Sequence, residues 1–445
     1  MLVDGEHYPP VTRWAIDVAR SRGYEVVAGL LVGGREKLAS EGALDVGIPI
    51  AVVEGNDRAR SLRRAIDDHA AEVVLDLSDE PVLGYRERMA MASVALWCGV
   101  PYHGPDFRLD PPAAHPPPSG VPTVAVIGTG KRTGKTAIAG AAARRAAVRD
   151  LDPVVVAMGR GGPAEPQVAE AGSVTVRALL ELSRAGRHAA SDYLEDNVMT
   201  GVVTVGARRA GGGLEGAPFV TNVGEALAVA AERHPGIVVL EGSGAAIPTV
   251  DWDTGILVVP ATCPLEYLQG YLGRYRLLRT DVAVVTMATE SLSGLEHFSA
   301  LTSHLRSALG DAQCAITDFR PAPLADVRGV DAFFATTAPE AVAATQAAHL
   351  ERVFGCRIVG WSARLADRAG LAEDLDGAHG YDVLLTELKA AAIDVAAERA
   401  RARGAEVVFV DNRAELVGAG ADLDAVLDVA LDLSAARAAA RSKQR

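Results

Sequence analysis

The chain has 445 residues, room for about three domains, and its 49% apolar content can fill several cores. The net charge of −13, with no extended basic run, argues against nucleic acid as the main partner. No apolar stretch is long enough to span a bilayer, and MLVDGEHYPP lacks the basic start and apolar core of a signal peptide. Four scattered cysteines, Cys98, Cys263, Cys314 and Cys356, read as reduced core thiols, and the expected compartment is cytoplasmic. The histidines show no metal-ligand spacing.

Residues 1–110 alternate strand-like and helix-like runs. Strands are expected at Met1–Gly5, Glu25–Gly33, Ile50–Val53 and Glu72–Ser78, with helices at Val11–Ser21 and Arg58–His69. Alternation of this kind implies a parallel sheet of Rossmann-like type, whose ligands gather beyond the carboxyl ends of strands. Asp4, Glu6 and His7 follow the first strand, and Asp76, Asp79 and Glu80 the fourth. Each taken alone reads first as a helix or turn cap. The next segment, 111–122, is proline-rich and reads as a stiff linker.

The second region, 123–320, opens on Thr123–Gly128, a buried-strand pattern. The chain then turns through Gly128, Thr129, Gly130, Lys131, Arg132, Thr133 and Gly134 into an alanine-rich helix, Lys135–Arg149. Strand, glycine loop, Lys-Thr and helix form a phosphate-binding loop. Glycines let backbone N–H groups face an anion, and the helix N-terminus adds free donors and positive potential. Lys135 is placed to reach the β- and γ-phosphates of ATP, and Thr136 to offer its hydroxyl to Mg²⁺. The pattern is G-T-x-x-x-x-G-K-T, because Thr129 stands where the strict motif wants glycine, and no second lysine replaces Gly130.

Further strands are expected at Pro153–Met158, Gly236–Glu241, Gly255–Pro260, Val282–Met287 and Gln313–Thr317. Arg160 sits in the glycine-rich turn after the first of these. Ser191–Val198 reads as an acidic helix. Arg208 and Arg209 precede a glycine run and read either as a second anion site or as a solvated basic turn. Four apolar residues ending in Glu241 resemble a Walker B strand, which would deliver a carboxylate to the metal. The last region, 325–445, is expected to add strands at Ala332–Thr336, Arg357–Trp361, Asp382–Glu387 and Glu406–Asp411, with helices at Ala338–Phe354 and Leu388–Arg403. Glu387, Lys389, Asp411 and Asn412 either cap these elements or line a cleft. The terminal segment Ala435–Arg445 reads as basic and poor in bulky apolar residues. The fold class is thus α/β. A P-loop NTPase-type parallel sheet domain is flanked by an N-terminal Rossmann-like α/β domain and a C-terminal αβ region.

The loop Gly128–Thr136, with the later Glu241–Pro248 segment EGSGAAIP, resembles dethiobiotin synthetase and its relatives. Longer blocks resemble a narrower family, the cyclic 2,3-diphosphoglycerate synthetases. They are Asp4–Pro10, Asp76–Val82, Ile127–Thr136, Met158–Pro166, Ser191–Asn197, Val205–Gly213, Glu241–Pro248, Leu388–Val395 and Val407–Asn412, in order through nearly the whole chain. The resemblance implies an ATP-dependent ligase. It would join the two phosphates of 2,3-bisphosphoglycerate into a cyclic phosphoanhydride, with ADP and phosphate as the other products. It also implies a homodimer. The residues assigned to such chemistry are Lys135, Lys131, Arg132 and Arg160 for catalysis, and Gly128, Thr129, Gly130, Thr133, Gly134, Lys135 and Thr136 for ATP. Arg160, Arg208 and Arg209 would hold the substrate's phosphates, and Thr136 with Glu241 would hold Mg²⁺. Two other readings use the same loop. One is a kinase of 2-phosphoglycerate or a related small phosphorylated acid. The other is a MinD-like ATPase switch, against which stand the missing second lysine and the lack of a membrane-binding amphipathic terminus. No motif marks the residues that hold adenine.

Overall fold

Long apolar runs bounded by glycine or proline become strands buried on both faces, and these set the architecture of the computed structural model. The structure describes residues 1–34, 44–55, 57–289, 294–389, 392–418 and 420–443. It divides into two units, Met1–Ala113 with Pro264–Thr280, and Ala114–Cys263 with Asp281–Arg445.

In the first unit the strands are short: β1 (Leu2–Val3), β2 (Gly29–Leu31), β3 (Ile50–Val52), β4 (Val74–Leu75), β5 (Tyr102–His103) and β6 (Arg108–Leu109). They form two three-stranded sheets, β1-β2-β3 and β4-β5-β6, joined by a parallel bridge between Leu2 and Asp76. The strand order therefore reverses between β1 and β4, the Rossmann-like arrangement read from the sequence. Helices Pro9–Ser21 and Arg58–His69 lie where expected, and a third, Tyr85–Trp97, was not read from the sequence. The acidic turns at the β1 and β4 ends are internally satisfied. Asp4 accepts from the main-chain N–H groups of Glu6, His7 and Asp79, and lies 2.7 Å from His7 Nδ1. Asp76 accepts from Ser78 N and Tyr102 OH and pairs with Arg88. They act as turn braces.

The second unit holds β7 (Thr123–Gly128), β8 (Pro153–Gly159), β9 (Gln167–Ala169), β10 (Val203–Ala210), β11 (Val220–Thr221), β12 (Ile237–Glu241), β13 (Thr254–Pro260), β14 (Val282–Thr286), β15 (Cys314–Pro323), β16 (Asp331–Ala335), β17 (Arg357–Ser362), β18 (Val383–Thr386) and β19 (Glu406–Leu416). These join in one sheet of order β11-β10-β8-β12-β7-β13-β14-β15-β19-β18-β16-β17, with β9 beside β10. The core pairs from β10 to β15 are parallel. β15 and β19 then pair antiparallel, Thr317 opposite Leu416 through Pro323 opposite Val410. The sequence alone set a boundary at about residues 320–325. β15 runs into that boundary, and the sheet continues into the C-terminal strands.

Two further differences from the sequence reading matter. Residues 203–210 were expected to lead into a glycine turn, and they form a strand paired with β8 along six positions. The basic C-terminal segment belongs to a long helix, Leu423–Lys443. Positions 390–391 of the expected helix Leu388–Arg403, and positions 444–445 of the terminal segment, lie outside the described residues. The rest of Leu388–Arg403 contains a π-helical turn, Ala392–Ala397, followed by a short α-helix, Glu398–Ala402.

The core explains the alanine-rich helix after the P-loop, Lys135–Val148. Its Ala139, Ala142, Ala143 and Ala146 are fully buried against β7, β8 and β12 on one side and the C-terminal helix on the other. Small side chains let three layers approach closely. The C-terminal helix returns Val426, Leu427, Ala430 and Leu431 at helical spacing. Arg145 and Arg149 fork onto Asp428 and Asp432 at its rim. Leu427→Ala should therefore cost roughly 2–5 kcal/mol of stability, the range for truncating a buried leucine. The urea midpoint of unfolding measures it, and an unchanged midpoint would show this helix to be a mere appendage. The segment 114–122 is also tied down: His115 bridges to Val250, and Arg441 donates to Pro118 O and Val121 O.

Candidate active site

The glycine loop leaves the carboxyl end of β7, and three neighbouring parallel strands end beside it. Glu241 is the last residue of β12, Arg160 follows the last residue of β8, and Arg209 is the penultimate residue of β10. Sheet order alone therefore brings these groups to one edge, where ligands of parallel sheets bind.

Lys135 begins the helix, and its side chain folds back into the loop. Its Nζ donates to Gly130 O at 2.7 Å and to Thr133 Oγ1 at 3.2 Å. Thr136 donates its hydroxyl to Glu241 Oε1 at 2.7 Å. Gly128, Thr129, Gly130 and Thr133 complete the turn, and Lys131 and Arg132 project exposed side chains. Arg132 adopts φ +60°, a left-handed conformation that non-glycine residues hold only when their surroundings impose it. Behind the loop, Thr286 at the end of β14 donates to Thr133 O at 2.7 Å. Cys263 Sγ contacts Thr129 Oγ1 at 3.5 Å.

The charges around this loop are tightly balanced. Burial pulls the Lys135 ammonium down to about 8; Glu241 and Asp192 oppose that, while Arg160 and Arg209 add to it. Burial pushes Glu241 up to about 7, Asp192 raises it further, and Thr136 and Asp196 pull it back. Asp196 is 1% exposed and is driven well above the usual carboxylate range by burial and then by Glu241. Two neighbouring buried carboxyl groups cannot both stay ionised, and burial together with Glu241 favours the proton on Asp196. Glu241 Oε2 and both Asp196 oxygens are unmatched by any hydrogen bond of the described residues.

Asp192 and Asp196 stand four apart on the helix Asp192–Thr200, which puts both on one face. The helix lies close to β8 because Gly159 has no Cβ: one placed there would fall 2.7 Å from Asp192 Oδ2. Next on this helix, Glu195 is met by Lys389 Nζ at 2.5 Å, a link from the end of β18. Burial pulls Lys389 down, but Glu195 and Glu387 more than offset it and its affinity for the proton is raised. Glu387 itself is a brace, accepting from Thr336, Thr337 and Asn412. Asp411 pairs with Arg144.

Of the residues singled out in the sequence, the structure gathers Lys135, Thr136, Glu241, Arg160 and Arg209. Arg208 and Arg209 are neighbours on a strand, so their side chains leave on opposite faces. Arg209 donates to Gly211 O and Ser243 O, next to the loop after Glu241. Arg208 is exposed and donates to Pro163 O. Of the pair, Arg209 is the one that helps to depress the Lys135 ammonium. Asp192, Asp196 and Glu195 were not assigned roles from the sequence, which left Lys389 between capping an element and lining a cleft. The i, i+4 acids in Ser191–Asn197 were the available signal.

A parallel sheet carrying a glycine loop, a buried lysine, a Thr-Glu pair and converging arginines defines a P-loop protein built to hold a phosphorylated nucleotide. Three family models, together spanning most of the chain, say which kind: cyclic 2,3-diphosphoglycerate synthetase N-terminal domain (residues 1–110), P-loop domain (123–317) and C-terminal domain (323–413). A protein of Rubrobacter xylanophilus named cyclic 2,3-diphosphoglycerate synthetase is 46% identical over 445 aligned positions, 99% of this chain and 98% of the relative. Proteins of the same name are 40% identical in Methanothermobacter thermautotrophicus (92% of this chain, 90% of the relative) and 38% identical in Thermococcus sibiricus (98% and 99%). The chain belongs to the cyclic 2,3-diphosphoglycerate synthetase family. Membership carries with it nucleotide use and a small phosphorylated substrate.

Proposed function

We propose that the protein closes an intramolecular phosphoanhydride in 2,3-bisphosphoglycerate at the expense of ATP, giving cyclic 2,3-diphosphoglycerate, ADP and phosphate. The observation that carries this reading is the placement of Arg160 and Arg209 at strand ends on the sheet edge of the Lys135 loop, where both depress the Lys135 ammonium, in a chain of this family. Two vicinal phosphates repel, and neither bears a good leaving group. Transfer of the γ-phosphoryl group of ATP to one of them creates such a group and releases ADP. An oxygen of the neighbouring phosphate then attacks the proximal phosphorus, forms the ring P–O–P bond and expels orthophosphate.

Each step asks for charge neutralisation and in-line positioning more than for an acid–base pair. Lys135 holds the β- and γ-phosphates of ATP. The main-chain N–H groups of 128–136 cradle them. Arg160 and Arg209 draw the substrate's phosphates toward the γ-phosphate. Lys131 and Arg132 shield the outer side of the loop. Arg208, facing away toward Pro163, serves the substrate only if the turn 160–166 rearranges.

The donor set suits Mg²⁺. Among the described residues no three acidic, histidine or cysteine side chains form a metal cage. Mg²⁺ needs none, since it keeps waters and takes one or two carboxylates plus phosphate oxygens. Thr136 and Glu241, with Oε2 unmatched, would hold it. When bound it neutralises charge on the transferring phosphoryl group. The reading extends to a cytoplasmic homodimer, in keeping with four free thiols and with the absence of any helix among the described residues long and apolar enough to cross a membrane. Sedimentation of the purified protein tests the dimer.

Phosphorus NMR of a reaction with ATP, Mg²⁺ and 2,3-bisphosphoglycerate tests the chemistry. Expected are equal amounts of ADP and orthophosphate together with a cyclic diphosphate signal. Retention of the γ-phosphate in a linear product would restore the kinase reading, and ATP hydrolysis independent of substrate would restore the switch. Neither is favoured by relatives that share the synthetase name over their full length.

A further inference from the structure

We propose that Phe319 is the stacking platform for the purine base of the bound nucleotide. The inference rests on the assignment of the triphosphate to the loop 128–136 and goes beyond it, because no motif marks a base site.

The ring is fixed against the phosphate loop. Gly134 has φ +92°, and a Cβ built on it would lie 2.2 Å from Phe319 Cζ and 2.6 Å from Cε2. The aromatic ring therefore occupies the space beside the first turn of the P-loop helix. It is only partly buried. Among the described residues no aromatic ring stacks upon it. A large apolar side chain left half open at a charged loop is where a planar ligand gains most from burial.

Among the described residues, the strand that carries the ring has no ladder partner beyond Thr317 on its edge away from β19. β14 pairs with β15 only along Cys314–Ile316 in the ladder. From Thr317 to Pro323 the ladder partner of β15 is β19. The main-chain N–H of Phe319 donates to Asp318 Oδ1 at 2.9 Å, and its carbonyl accepts from Arg320 Nη1 at 3.0 Å. Side chains, rather than a neighbouring strand, meet these groups. Pro321, with no N–H to offer, suits such an edge. The ends of both strands are anchored: Ala288 N donates to Thr317 O at 3.1 Å, and Thr286 holds Thr133 O. The ring is thus held beside the loop, and among the described residues no strand pairs along the edge next to it, where a flat heterocycle leaving the phosphates would lie.

The competing account is that Phe319 only props Gly134. The two accounts separate on a ligand without a base. ATP and inorganic tripolyphosphate are titrated calorimetrically into wild type, Phe319→Ala, Phe319→Trp and Lys135→Ala. Stacking on one aromatic ring corresponds to roughly 5- to 150-fold in affinity. Phe319→Ala should lose that factor for ATP and less than about twofold for tripolyphosphate, and Phe319→Trp should restore ATP binding. Equal losses on both ligands, or no loss on ATP, would overturn the platform. Lys135→Ala should weaken both ligands alike. If it weakens neither, the placement of the triphosphate fails, whatever Phe319 does.

Discussion

Lys135→Ala should lower turnover by at least about three orders of magnitude, since it removes the one buried cation that the loop folds around. The fold should survive. Lys135 is desolvated, and its proton affinity in the ligand-free protein is depressed to about 8. A lysine whose folded value lies below its unfolded value costs stability wherever it is charged. The unfolded chain keeps that proton to higher pH, so the cost is full below pH 8 and is relieved as pH rises from about 8 toward the ordinary lysine range. Removing the ammonium therefore leaves the ligand-free protein as stable as wild type or more so at pH 7, read from its melting temperature. Binding shows the opposite sign. The ammonium is what the triphosphate needs, so wild-type affinity for tripolyphosphate should stay level below pH 8 and fall above it. In the variant that fall should vanish. Phosphate release that stays at the wild-type rate in Lys135→Ala would remove the loop from the reaction.

Much of this site could be read from sequence because its signals are local. Thr123–Gly128 is an apolar run ending at a glycine, and the lysine and threonine follow within eight residues; the structure reproduces the strand residue for residue. Glu241 was legible for the same reason, as the polar end of Ile237–Glu241. The features that were missed depend on distant partners. Gly206, Arg208 and Arg209 carry little strand propensity, yet pairing with β8 and β9, and of Arg209 with β11, holds them in β10. The antiparallel contact of β15 with β19 joins residues about a hundred positions apart, and no periodicity in either strand announces it. The C-terminal helix did leave a signal, since Leu423, Val426, Leu427, Ala430 and Leu431 share a face. Reading only its basic end concealed that stripe. Asp192 and Asp196 read only as part of an acidic helix, and the approach of Gly159 and Glu241 shows that their face is turned inward.

Glu241→Gln should cut the Mg²⁺-dependent rate by about 10²–10³-fold and leave nucleotide binding without metal intact or tighter. The amide oxygen can still accept from Thr136, so the position of the helix start is kept. The amide nitrogen can donate to Asp196, whose oxygens have no N–H or O–H partner among the described residues. The substitution therefore costs little packing and deletes one charge. Its effect on stability has a definite sign. Glu241 is raised to about 7 by burial and by Asp192, so its neutral form favours the folded state. That contribution is complete below the ordinary glutamate range and is lost as pH climbs through 7. A permanently neutral amide does not lose it. The wild-type melting temperature should thus fall between about pH 4.5 and 7 by an amount that the variant escapes. Metal-free nucleotide binding should gain from the missing repulsion between carboxylate and phosphates. Rate, metal-free affinity and pH profile answer separate questions. A rate unchanged at saturating Mg²⁺ would take Glu241 out of the metal site, even if the pH profile flattened as expected. A lost rate together with a flattened profile would leave the carboxylate's charge, and not its packing, as what the reaction uses.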